Sequence, residues 1–408
     1  MRSSAFVFGL DLLGEGCGAV LGNLQDRAGL DDVTFSATYH DARDVFPHNP
    51  RYHVHRHEGD IAWFAPERRR YKNGLRPQPA AAAAGADLLA EVCEQADRRG
   101  MRVDAWTIFL HNSALATVHP DCATRNVYGD PYLSDLCPAN PRVQAYCVEL
   151  AGDLARYPVR RLLAESLHYR PLEHGEHHER YLMELPGGVR TLLSVCFCTH
   201  CQAAGRAAGV KVEALARAVR DTLQPIWEGA PAAQVAAACA SPQLCADLDA
   251  FVQVRMATVT ALVAQVRGAL AHAGVRLGFI DHSGAMSHVM LGIGADDEVT
   301  LSARKLGIDL AAVAAASDEV FALGYVDSAE RLQALLASYV AAIPPGHPLA
   351  VALRPLLPDC RDSANLAAKV AAVRAAGADS VAFYHYAMMP LNRLDWIRQA
   401  LHGEGGTP

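Results

Sequence analysis

Two groups of residues have the types and the spacing for chemistry. Glu165 closes the short apolar run Leu162-Leu163-Ala164, and a carboxylate at that place reads as the end of a barrel strand, where (β/α)-barrels keep their reactive groups. Such a carboxyl can exchange a proton with a reacting bond if partial burial lifts its pKa towards neutrality. Its plainer alternative is a structural acid paired with a rim arginine. Downstream, Cys196-Phe197-Cys198-Thr199-His200-Cys201 places three thiols within six residues, which is ligand spacing for a thiophilic metal. A tetrahedral site needs a fourth ligand. Cys137 is the first choice, because the loop after a third barrel strand lies beside the loop after the fourth; Cys122 and His200 are the alternatives. Four thiolates leave no open coordination position, so a zinc held this way is structural and not a Lewis acid. Packed thiols without metal are the competing reading.

The elements that must position these groups alternate along the chain. Strand-like runs are expected at residues 5–13, 32–40, 102–110, 161–165, 275–280, 319–326, 348–353 and 380–386. Helical periodicity falls between and after them, at 17–28, 80–99, 143–157, 213–227, 245–272, 310–315, 330–342, 364–376 and 394–401. Pro141 stands where a helix can begin. Eight strand-then-helix units without a low-complexity linker predict an α/β fold, a single (β/α)8 TIM barrel over residues 1–408. Long loops are expected after strands 2, 3 and 4, with a helical insertion around 205–245. A doubly wound open sheet is the runner-up; Gly14-Glu15-Gly16-Cys17-Gly18 is too irregular for its phosphate-binding turn.

Composition narrows the partners. The net charge is −7 and the longest basic run is Arg68-Arg69-Arg70, which speaks against a nucleic-acid surface. The N-terminal apolar run meets Asp11 early, unlike a signal peptide, and no uncharged apolar run approaches the roughly 18 residues of a membrane span. Eleven cysteines, several standing singly such as Cys93, Cys147 and Cys245, suit a reducing compartment. The expectation is a cytoplasmic protein with no membrane or nucleic-acid partner, free to form homo-oligomers.

The order Leu136-Cys137-Pro138-Ala139-Asn140-Pro141, then a helix, a strand ending in Glu165, and Cys196 to Cys201 resembles the β-galactosidases of glycoside hydrolase family 42 and related barrel glycosidases. The motifs lie within about residues 100–205. The resemblance implies hydrolysis of a glycoside or oligosaccharide, Glu165 as general acid/base, and a structural zinc on Cys137, Cys196, Cys198 and Cys201. The sequence departs from the family at two places. Ala164 stands where the family reads Asn before the Glu, and the seventh strand runs Ala350-Val351-Ala352-Leu353-Arg354 without the nucleophilic Glu.

Cleaving a glycosidic bond takes a second carboxylate. Asp281 and Asp327, at the expected ends of strands 5 and 6, are the candidates, with Asp41, Asp11 and Asp359 behind them. Each could instead cap a helix, and Asp327-Ser328-Ala329-Glu330 reads as a capping box. His40, Asp41, Trp63, His111, Asn112, Tyr325, Arg354, Tyr384 and His385 are expected to contact sugar, with ring faces for stacking and polar groups for hydroxyls. Two other classes compete. His53, His55 and His57, or the dense run His174-Gly175-Glu176-His177-His178-Glu179, could serve a metal-dependent barrel isomerase, aldolase or hydrolase. The missing seventh-strand Glu would also suit a carbohydrate-binding barrel without catalysis.

Overall fold

The computed structural model describes residues 1–172, 180–284 and 299–403. Eight parallel strands close into a barrel: β1 Arg2–Val7, β2 Asp32–Ser36, β3 Arg102–Ile108, β4 Arg161–Glu165, β5 Arg276–Asp281, β6 Glu319–Leu323, β7 Leu349–Leu353 and β8 Ser380–Phe383. They pair in sequence order and β8 closes on β1, with Arg2 opposite Ser380. This is a (β/α)8 TIM barrel. Its strands read as nearly continuous apolar runs because helices cover the outer face and side chains fill the inner one.

Several boundaries differ from the periodicity. β1 stops at Val7 because Gly9–Glu15 is already helical, and the Asp11 carboxylate accepts the Phe8 N–H at 2.8 Å. The run 32–40 breaks at Ala37. Thr38–Tyr39 leaves the barrel to pair with Ile61–Ala62. The Ala-rich stretch 80–99 becomes an α-helix only over Leu88–Arg98, after Gly85 turns the chain at φ 87° and Asp87 caps the Ala90 N–H at 3.0 Å. β6 ends at Leu323, one residue before Gly324, where a Cβ would lie 2.8 Å from Leu332. Between β4 and β5 the helices Thr199–Ala207, Val212–Trp227 and Ala232–Cys239 precede a long helix, Pro242–Leu270. Among the described residues no single helix is long and apolar enough to cross a membrane.

Strand alternation decides what faces the lumen. On β4, Arg161, Leu163 and Glu165 share the inward phase. Arg161 reaches Glu319 on β6, two strands away, and donates to Asp104 on β3 at 2.6 Å. Arg160 also binds Asp104, and it approaches Asp32, which holds Arg2. Burial raises the Asp104 carboxyl, but two guanidinium groups outweigh it and hold the pKa below the usual value. At Glu319 burial, joined by the field of Asp104, outweighs Arg161 and the weaker fields of Arg276 and Arg160, and its pKa is raised.

This ionic layer lies at the opposite end of the strands from Glu165, and Arg161 is its hub. Replacing Arg161 by Met leaves the buried Glu319 without its bonded cation and Asp104 with Arg160 alone. Urea unfolding of Arg161→Met is expected to lose about 3–5 kcal/mol of stability.

Candidate active site

At the C-terminal end of the barrel Glu165 projects inward with its side chain 18% exposed. One oxygen accepts the Trp106 Nε1–H from β3, and the other lies 3.4 Å from His282 Nε2, just beyond β5. Burial is the largest influence on its pKa and raises it. The hydrogen bond and charge of His282, the field of His40 and the indole N–H together outweigh burial and leave it lowered. The resting carboxyl is therefore ionised, which corrects the expectation of a raised pKa. The loop behind Glu165 turns through Ser166 at φ 54° and sends Arg170 back to Asp135 at 2.9 Å.

Phenols and imidazoles line the rest of the cup. The Tyr39 and Tyr384 hydroxyls are 3.3 Å apart, and Tyr384 meets Trp106 edge to face at 5.9 Å. Burial keeps both phenols, and Tyr325, above their ordinary pKa and so neutral. Arg354 lies 4.2 Å over the Tyr325 ring and is held by Asp359. His40 stacks on His111 at 4.5 Å. Burial lowers the pKa of both, and that of His168 to about 3. Over the β1 and β8 side runs a two-stranded ribbon, Arg43–Val45 with Val54–Arg56. From it Asp44 reaches His57 at 3.0 Å.

Several expected site residues are placed elsewhere. Asp281 is in the outward phase of β5, fully buried, and bonded by the Tyr339 hydroxyl at 2.5 Å and Ser283 Oγ at 2.7 Å. Asp327 is exposed and pairs with Arg331 at 3.0 Å; Ser328, not Asp327, caps the following helix. Neither acid contacts Glu165. Trp63 is a core residue packed over Gly9, where a Cβ would lie 2.2 Å from its ring. Asn112 caps Ser113–Val118 by accepting the Leu115 N–H at 2.8 Å. Asp41 is held by Arg56. His385 is fully buried and stacks on Phe8 at 3.7 Å. Asp11 is buried beneath the mouth against the Phe8 N–H. The histidines at 174–178 lie outside the described residues.

Trp106, His282 and Asp44 were not anticipated. Trp106 sits inside an apolar strand and His282 one residue past a more conspicuous Asp, and Asp44 lies in a polar loop without periodicity. Only inward phase, read from strand pairing, could have singled out Trp106.

Beside the cup, the sulfurs of Cys137, Cys196, Cys198 and Cys201 lie within 4.8 Å of one another, all buried. Cys122 and His200 are not in this group. The Arg125 N–H points at Cys196 Sγ at 3.3 Å and the Cys201 N–H at Cys198 Sγ at 3.5 Å. The donor set is compatible with a thiophilic ion such as zinc. The cluster joins the loops after β3 and β4. Tyr169, four residues beyond Glu165, lies with its hydroxyl 3.3 Å from Cys201 Sγ.

No family model and no curated protein sequence matches this chain. Among solved structures it is similar to alpha-L-fucosidase isoenzyme 2 from Paenibacillus thiaminolyticus, at TM-score 0.58 and 12% identity over 98% of this chain and 49% of that one. It is similar to a beta-galactosidase from the psychrophilic Marinomonas ef1, at TM-score 0.58 and 11% identity over 98% and 59% of the two chains. The catalytic domain of a beta-amylase from Paenibacillus polymyxa aligns at TM-score 0.52 and 10% identity over 97% and 94%. The chain thus spans about half of the fucosidase and three fifths of the galactosidase. At these identities the likeness is one of fold.

Removing the His282 imidazole takes away the strongest support for the Glu165 anion. In His282→Asn the Glu165 carboxyl is expected to titrate at higher pH than in the parent, followed by 13C NMR of glutamate-labelled protein. An unchanged titration would show that His282 does not set this charge.

Proposed function

We propose that this chain is a glycoside hydrolase acting on a glycoside or oligosaccharide, with Glu165 as general acid/base. One observation carries the reading. A partly exposed carboxylate, held by an indole N–H and an imidazole, projects into a cup of neutral phenols and imidazoles at the C-terminal end of the barrel. Ring faces and neutral donors suit a sugar's C–H faces and hydroxyls. Tyr325, Tyr384, His40, His111 and Arg354 are the proposed contacts, with Trp106 and Tyr39 joining them. The motif resemblance to glycoside hydrolase family 42 and the fold shared with a beta-galactosidase and a fucosidase point the same way.

Glu165 starts ionised, so it must gain a proton before it can give one to the leaving oxygen. Sugar entering the cup strips the remaining water from the carboxyl and adds to the burial that raises its pKa. His282, Nε2 turned to the carboxylate, is placed to exchange that proton. A zinc on Cys137, Cys196, Cys198 and Cys201 would have no free coordination position and would supply no chemistry to the sugar; it would tie the loops carrying Asp135 and Tyr169.

A carbohydrate-binding barrel without turnover is the second reading, favoured by Arg354 standing at the end of β7. A catalytic metal finds no gathered ligand set beyond the four thiols among the described residues.

Glu165→Gln is expected to lower kcat about 10²–10⁴-fold on an oligosaccharide or alkyl glycoside, whose leaving oxygen needs a proton, while retaining sugar binding by calorimetry. Sugar binding by the parent without turnover would favour the binding barrel. Elemental analysis is expected to find one zinc per chain, with activity that survives mild chelation and a stoichiometry that falls in Cys137→Ser.

A further inference from the structure

We infer that Asp44, oriented by His57, is the second carboxylate of this site and accepts the proton of the water that attacks the anomeric carbon, so that hydrolysis inverts configuration. The inference rests on the glycosidase reading of Glu165.

Asp44 belongs to the ribbon over the mouth, yet its side chain is only 17% exposed, close to the 18% of Glu165. Its Oδ2 meets His57 Nε2 at 3.0 Å, and no described residue bonds its Oδ1. The His57 side chain is fully buried, fixed among the rings of Phe8 at 4.7 Å, Tyr39 at 5.0 Å and Phe46 at 5.8 Å. A polar ring held this firmly presents Asp44 in one orientation. Next to His57 the Tyr39 hydroxyl meets that of Tyr384, and Tyr384 leads through Trp106 to Glu165. The fields of Asp44 and Glu165 both reach Tyr39 and Tyr384. The two acids thus flank one pair of phenols.

Among the other carboxylates near the mouth, Asp135 is held by Arg170, Asp359 by Arg354 and Asp41 by Arg56, Asp60 is buried and accepts the Ala114 N–H at 2.7 Å, and Asp281 faces the helix layer. Asp44 is bonded by the His57 imidazole. A base that takes the proton of water leads to a single displacement at the anomeric carbon and so to inversion, for which the two carboxyl groups stand roughly 6.5–9.5 Å apart and leave space for water, against roughly 5 Å in a retaining pair.

The step balances without any further reactant. A lone pair of water forms the new bond to the anomeric carbon, and its proton passes to the Asp44 carboxylate. The electron pair of the breaking C–O bond goes to the leaving oxygen, which takes the proton of Glu165. Exchange with solvent then restores both acids.

The test is the first anomer released, read by proton NMR before mutarotation, with a panel of 4-nitrophenyl α- and β-glycosides and the full chain. Inverted product from the parent and an Asp44→Asn kcat lowered about 10²–10⁴-fold, with KM within a few fold and an unchanged thermal midpoint, support the inference. Retained product overturns it, as does an Asp44→Asn kcat within threefold of the parent. Should Asp44→Asn fail to fold, the anomer from the parent still decides. If the parent cleaves no glycoside, or Glu165→Gln leaves cleavage unchanged, the glycosidase reading falls and takes this inference with it. Turnover that depends on Glu165 but not on Asp44 overturns the inference alone.

Discussion

A carboxylate that has given up most of its water must find other groups to bear its charge, and the upper half of this barrel is arranged around that requirement at Glu165. Its partners come from the neighbouring strands, an indole from β3 and an imidazole from the end of β5. Strand closure is what brings them together, since the parallel pairing sets Glu165 beside Ile108, and Trp106 and Glu165 share the inward face. The anion is supported from two sides, and the remaining side opens to the cup. The barrel treats charge differently at its other end, where Arg161 is shared between Asp104 and Glu319 and closed from water. One end spends its ionic groups on holding strands, the other leaves the Glu165 carboxylate partly open to the cup.

The cysteine cluster acts on a different link. Loops as long as those after β3 and β4 carry little intrinsic order, yet they bring Asp135 and Arg170 together over the mouth. Cys137 follows Asp135 by two residues, and Tyr169 touches Cys201 immediately before Arg170. Gathering the four sulfurs thus fixes both halves of that ion pair, and Arg170 also donates to Ser166, the residue after Glu165, at 3.2 Å.

How much of this was legible depended on what each residue answers to. The strand and helix alternation follows hydrophobic period, which is local, so all eight barrel strands were readable, and β4 from Arg161 to Glu165 without error. Glu165 and the four cysteines stood out because residue type and spacing alone point to them. Which acid faces Glu165 is a question of phase, and a shift of one residue sends a side chain to the other face of a strand. Asp281 is one step past the inward Ile280 and so meets Tyr339 in the helix layer. Trp63 and Asn112 stood for sugar contacts by type, but packing against Gly9 and capping of Ser113–Val118 claimed them first. Asp44 and His57 come together only because a ribbon folds back over the barrel, a long-range event with no signature in the order of residues.

The contact between Trp63 and Gly9 reaches beyond packing. The indole occupies the space where any other amino acid at position 9 would put its first side-chain carbon, and residue 9 opens the helix that follows the strand closing the barrel. Neither position can drift by itself. As such sequences diverge over generations, a smaller residue at 63 would have to appear before glycine could be given up at 9, so the two sites are bound to a shared history although 53 residues of chain lie between them.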